Sequence, residues 1–90
     1  MRIPWTRAAD DLEHIKVYLK KHHPHLAQPT VLKLYDAIRS LKTMPDRGRK
    51  RRVEGTRELV STPLPYIAVY RVKGRAIEIL HIYHGAQDRP

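Results

Sequence analysis

With 90 residues the chain is long enough to bury one modest core and too short for two, so a single domain over residues 1–90 is expected. Eighteen lysines and arginines against nine aspartates and glutamates give a formal net charge of +9 and a pI near 10.3, which suits a polyanion or an acidic protein as partner. The lack of cysteine excludes disulfides, thiolate metal sites and a cysteine nucleophile, and no run is apolar enough for a signal peptide or a membrane span, so a cytoplasmic protein is expected.

Arg2 to Trp5 (RIPW) reads as a short first strand, with Pro4, which lacks an amide proton, best placed at a sheet edge. Thr6 offers an N-cap hydroxyl for a first helix. Asp10, Asp11 and Glu13 lie in its early turns and Lys16, Lys20, Lys21, His22 and His23 lie late, the order that a helix dipole favours. Ala8, Leu12, Ile15 and Leu19 fall at spacings of four, three and four and make one apolar stripe, which Pro24 ends. Pro29 suits the first turn of a second helix, in which Val31, Leu34, Ile38 and Leu41 repeat at three, four and three until Met44-Pro45 closes the element. The short proline-bearing link predicts an antiparallel helical hairpin with one face on a sheet and Lys33, Arg39 and Lys42 in solvent.

Pro45 to Gly48 reads as a turn, and Arg47, Arg49, Lys50, Arg51 and Arg52 form a self-repelling block expected to be mobile until something anionic binds. Within Val53 to Ser61 a strand is expected from about Thr56, and Pro63 and Pro65 keep the next link extended. Tyr66 to Val72 (YIAVYRV) and Ala76 to Tyr83 (AIEILHIY) are rich in β-branched and aromatic residues. Lys73-Gly74-Arg75 joins them with a glycine where a tight turn needs positive φ, so the pair is a hairpin. The expected order is β-α-α-β-β-β, an α+β fold with a small antiparallel sheet packed against an N-terminal α-helical hairpin.

On the first strand of that hairpin Tyr66, Ala68, Tyr70 and Val72 share the parity of the core face. Ile67, Val69 and Arg71 take the other, which makes Arg71 the candidate cation of the open face. His81 and His84, three apart on a strand, point to opposite faces and make a poor chelating pair, but each is a candidate acid or base. His22, His23 and His25 straddle a helix end with no carboxylate or thiolate spaced to join them, so no metal is expected there. The basic residues Arg47, Arg49, Lys50, Arg51 and Arg52 run directly into the second strand and are assigned to nucleic-acid phosphates at the rim of the same sheet. No amphipathic helix with a large apolar face accompanies them, which argues against a membrane partner.

Together and in this order, WTRAADDLEHIKVYL, MPDRGRKRRVEGTREL, PYIAVYRV and ILHIYHGAQDRP resemble the RelE/ParE superfamily of bacterial type II toxins over essentially the whole chain. The resemblance implies a small RelE-like toxin held inactive by a cognate antitoxin, expected here to be acidic. Many members cut messenger RNA in the ribosome without a metal, using the RNA 2′-hydroxyl as nucleophile; others, the ParE branch, poison DNA gyrase. Carried onto this chain, the acid-base group near the end of the last strand falls on His84, with Tyr83 beside it. The arginine that stabilises the scissile phosphate falls on Ile67, so Arg71 or Arg57 has to substitute for it, and a carboxylate used by some members falls on Glu54. The leading expectation is a ribosome-dependent messenger-RNA endoribonuclease without cofactor, in which Arg57 and Arg71 hold phosphate and His84 or His81 moves the proton. The alternative is a non-enzymatic inhibitor of DNA gyrase, which the missing arginine favours.

Overall fold

The structure, a computed structural model, describes residues 1–61 and 64–85. Pro63 and the end of the last motif, residues 86–90, lie outside them. Helix α1 (Thr6–His22) and helix α2 (Pro24–Arg39) form the expected hairpin, followed by a short 3-10 turn at Ser40–Lys42. Four strands complete the chain: β1 (Arg49–Lys50), β2 (Arg57–Val60), β3 (Tyr66–Lys73) and β4 (Ala76–His84). They form one antiparallel meander in the order β1-β2-β3-β4.

The α1 stripe is buried as its spacing requires, at Ala8, Leu12, Ile15 and Leu19. Its start differs from the expectation, because Trp5 and not Thr6 is the N-cap and no side chain caps the helix. Trp5 already has a helical backbone, its carbonyl accepts the Ala9 N–H at 2.6 Å, and its ring stacks on Tyr35 of α2 at 4.7 Å. Ring packing between the helices thus sets the entry of the chain in place of a hydroxyl cap. The second helix starts five residues before Pro29. Pro24 occupies its first turn, where a missing N–H costs nothing, and only His23 separates the helices. Pro29 therefore sits inside α2, and the buried face is Ala27, Thr30, Leu34 and Ile38, extended by Leu41, with Val31 only half-buried.

The expected first strand is reduced to one bridge. Arg2 pairs in parallel with Ala76, its N–H donating to Arg75 O at 3.1 Å and its carbonyl accepting from Ile77 N at 2.8 Å. Pro4 has no donor to continue the ladder, and the chain is helical by Thr6. The sheet's fourth strand comes instead from Arg49–Lys50, inside the basic block expected to be mobile. That block is anchored from below by Tyr70. Its fully buried hydroxyl donates to Pro45 O at 2.7 Å and accepts the Gly48 N–H at 2.9 Å. A Cβ on Gly48 would meet the Tyr70 ring and hydroxyl at 2.6 and 2.7 Å and Glu58 O at 2.8 Å, so only glycine lets the turn lie this close.

Core side chains Leu12, Ile15, Leu34 and Ile38 of the helices pack on Ala68, Tyr70, Ile77, Ile79 and Ile82 of the sheet. Full burial of each Leu or Ile contributes about 1.5–3 kcal/mol. Between Val69 and Tyr70 the register slips, since Val69 faces His81 while Tyr70 faces Ile79. Leu80 is the extra residue of this β-bulge, and beyond it β4 changes parity. Ile77, Ile79, Ile82 and His84 consequently face the helices, and Glu78, His81 and Tyr83 lie on the open face with Arg71 and Ile67. The outer edge of β4 is closed by the N-terminal region: beyond Arg2, Arg7 Nη1 donates to Leu80 O at 2.8 Å and Asp11 Oδ2 accepts the Ile82 N–H at 2.9 Å. A long edge strand is thereby kept from pairing with another chain.

Candidate functional site

Two surfaces carry the charged and titratable groups, one at each edge of the sheet. At the β4 edge a cleft of about 400 Å³ lies between α1 and the end of the sheet, lined by Asp11, His14, Tyr18, Tyr66, His81, Tyr83 and His84 over a floor of Ile15 and Ile82. The sheet supplies its rings in two pairs. His81 and Tyr83, two apart on the open face, stack at 5.3 Å, while His84 meets its cross-strand neighbour Tyr66 edge-on at 5.4 Å on the helix side. Asp11 joins the two parts, because the carboxylate oxygen that takes the Ile82 N–H also lies 3.6 Å from His81 Nδ1. Burial pushes the Tyr66 hydroxyl above the ordinary phenol value, helped by the nearby Tyr18.

At the β1 edge the arginines are held by acceptors of the chain itself. Glu58, in register with Arg49, takes Arg49 Nε at 2.9 Å on one oxygen and Arg51 Nε at 3.2 Å on the other. Arg47 donates to the Ser40 hydroxyl. Arg57 donates to Gly48 O at 2.7 Å and Asp46 O at 3.3 Å, with the Asp46 carboxylate 3.5 Å away. It faces the helix side, opposite Tyr70, where it steadies the turn. Lys50 and Arg52 are exposed and have no ion pair among the described residues. Glu54 lies exposed in the β1–β2 connection, away from the rings of the first cleft.

Of the five residues read from the sequence as catalytic, Arg71, His81 and Tyr83 share the open face, whereas His84 and Arg57 take the other. His84 pairs with Tyr66, five residues along β3 from Arg71, a distance of roughly 16 Å at strand rise. Arg71 is itself engaged: its Nε donates to Glu78, the residue directly opposite, and this bond lowers the Glu78 carboxyl below its usual value. Ile67 lies beside Tyr83 across the strands and Val69 beside His81, so the β3 residues next to both rings are aliphatic. Sequence reading missed Asp11, His14 and Tyr18. Their spacing of three and four beside the apolar stripe of α1 was the available signal, since it places them on one flank of that helix. No group of three or more His, Asp or Glu among the described residues is placed to hold a metal ion, and His22, of the histidine cluster at the helix corner, packs against Tyr18 at 4.4 Å. No helix among the described residues is long and apolar enough to cross a membrane.

Residues 5–89 match the family model for the ParE toxin of type II toxin-antitoxin systems. Among individual relatives, Y4kP of Sinorhizobium fredii is 40% identical over 90 residues, covering 99% of this chain and 93% of its own. Toxin RelE2 of Caulobacter vibrioides is 38% identical over 87 residues, covering 96% of this chain and 97% of its own. A chain of the solved chromosomal ParDE TA system from P. aeruginosa superposes with a TM-score of 0.83 at 33% identity, covering 93% of this chain and 95% of that one.

Proposed function

The chain belongs to the ParE toxin family within the RelE/ParE superfamily of type II toxin-antitoxin systems, and on that premise we propose that it arrests growth by binding DNA gyrase and not by cutting RNA. One observation carries this reading: among the described residues no arginine stands free beside an imidazole. Arg57 is on the helix side and bonded to Asp46 and Gly48, Arg71 is paired with Glu78, and Ile67 occupies the position at which the ribonuclease branch carries its phosphate-stabilising cation. Cleavage through a 2′-hydroxyl develops negative charge on the phosphate, and without a preorganised cation there the imidazoles alone leave most of that barrier in place. A binding mechanism needs no such convergence. The helical hairpin leaves the large apolar side chains of Val17, Tyr18, Leu26, Leu32 and Tyr35 exposed, each available to a protein partner. In the resting system that partner is the cognate antitoxin, whose acidic segment orders itself on the toxin and binds less tightly as salt rises.

A ribosome-dependent ribonuclease is the second reading, favoured by the shared open face of Arg71, His81 and Tyr83. In that reading Arg71 leaves Glu78 to meet the phosphate, and His81 or His84 takes the 2′-hydroxyl proton. Purified toxin assayed side by side for inhibition of gyrase supercoiling and for messenger-RNA cleavage in a translation reaction separates the two. We expect supercoiling to fail with messenger RNA intact. Expression of Arg71→Lys, Arg71→Ala and His84→Gln without antitoxin, with circular dichroism as folding control, should leave growth arrest undiminished. Cleaved messenger RNA, together with loss of arrest in folded Arg71→Ala, would reverse the choice.

A further inference from the structure

The basic block of residues 47–52 is divided by its own hydrogen bonds into an anchored part and an available part. Arg47, Arg49 and Arg51 are bonded to Ser40 and Glu58, and Lys50 and Arg52 are the exposed remainder. These two line a cleft of about 630 Å³ together with Arg51, Arg57 and the Gly55-Thr56 backbone. Four cations border it against the two carboxylates of Asp46 and Glu54, and Asp46 is already engaged by Arg57.

We propose that this cleft is a phosphodiester-binding site that takes the backbone of a nucleic acid, with Lys50 and Arg52 making the direct phosphate contacts. The site is preformed. Tyr70 holds one end of the block through Pro45 and Gly48, and the other end is closed by Arg51 N–H to Thr56 O at 3.1 Å and Thr56 Oγ1 to Val53 O at 2.6 Å. With the backbone fixed in this way only the Lys50 and Arg52 side chains have to order on binding, so less of the interaction is lost to entropy. Beside the cleft the two oxygens of Glu58 hold Arg49 and Arg51 one each, a pairing that a phosphate with two free oxygens can also make. An acidic protein is the poorer fit: among the described residues Val72 is the one large aliphatic side chain lining the cleft, whereas protein interfaces are built around an apolar centre and backbone phosphates need cations alone. The inference does not depend on which target the toxin has, because it concerns a surface at the edge opposite the ring-lined cleft.

Fluorescence anisotropy of the purified full chain with labelled duplex DNA and, separately, single-stranded RNA, each about 20 nucleotides long and titrated between roughly 50 and 200 mM salt, reads the number of phosphates engaged. Two direct contacts predict a slope of log K against log salt of about −1.8 on duplex DNA and about −1.4 on single strands. Lys50→Gln with Arg52→Gln should make that slope shallower by roughly 2, and Glu58→Gln, which frees two guanidinium groups, should make it steeper. A charge-matched control, Lys21→Gln with Lys33→Gln on the helices, should leave it unchanged. The nucleic acid with the greater affinity at equal salt identifies the source of the backbone. An equal loss in the control pair would reduce the effect to the attraction of a +9 chain and overturn the proposal, as would competition by polyglutamate as effective as that of unlabelled nucleic acid.

Discussion

At the β1 edge, five arginines lie close together and four of them are fixed by named acceptors: Arg47 by Ser40, Arg49 and Arg51 by Glu58, Arg57 by Gly48 and Asp46. At the β4 edge no arginine lines the cleft among the described residues, and their polar wall is imidazole, phenol and one carboxylate. The first edge is organised by charge whose geometry a few buried bonds hold in place. The second is organised by rings that α1 brings against the sheet. Cation density along the chain therefore says little about where a cation is available, because local carboxylates and carbonyls consume most of it. Imidazoles and phenols line one edge and the arginine-rich block the other, and this separation is what favours the proposed binding toxin.

The contrast between the two edges depends most heavily on Gly48. Gly48→Ala drives a methyl into a Tyr70 ring that has no exposed surface to move into, and should destabilise the protein by about 2–3 kcal/mol in urea unfolding. Salt-dependent nucleic-acid binding should fall with it, measured under conditions where the variant remains folded. If the turn were as mobile as the basic run suggests, the substitution would instead be silent.

Tyr70→Phe sharpens the same point without adding volume. Gly48 N–H and Pro45 O lose their partner, at a cost of about 1–3 kcal/mol. The variant also tests a pH dependence. Burial raises the Tyr70 phenol, opposed by the Gly48 N–H and Arg57, and burial raises Tyr66 as well. The folded state then keeps protons that the unfolded chain releases above about pH 10, so stability is full below that pH and is lost as pH rises through the folded values. Wild type should lose stability more steeply than Tyr70→Phe between pH 9 and 11, with Tyr66 as the remaining contributor, in urea titrations at about five pH values.

The smallest effect belongs to the β4 edge. Asp11→Ala removes the acceptor of the Ile82 N–H and should cost about 1 kcal/mol, because that amide is partly buried and regains water. Amide exchange at Ile82 should accelerate more than at Ile77, whose N–H is held by Arg2 and not by α1. Equal acceleration at both sites would mean that α1 closes the edge only as part of global stability.

Much of the architecture was legible because it depends on local periodicity. The stripe of Ala8, Leu12, Ile15 and Leu19 and the run of β-branched residues after Tyr66 identify a helix and a hairpin whatever they pack against, and Gly74, at φ 63°, sits where the turn needs it. Arg2 to Trp5 and the start of α2 were misjudged for the same reason in reverse. A strand exists only if a neighbour pairs with it, and Pro24 could equally stop one helix or begin the next.

Side-chain order along single segments was enough for the class of the fold, the faces of α1 and of β3, and the family. Tertiary structure decided what the polar residues do. Whether an arginine is free depends on an acceptor many positions away, as Arg57 does on Gly48 and Asp46. Which face His81 and His84 occupy depends on one bulged residue, Leu80, and a single inserted position reverses every side chain beyond it. Such contacts are non-local: they form only when the helices and the meander have closed on one core, and no spacing along 90 residues encodes them directly.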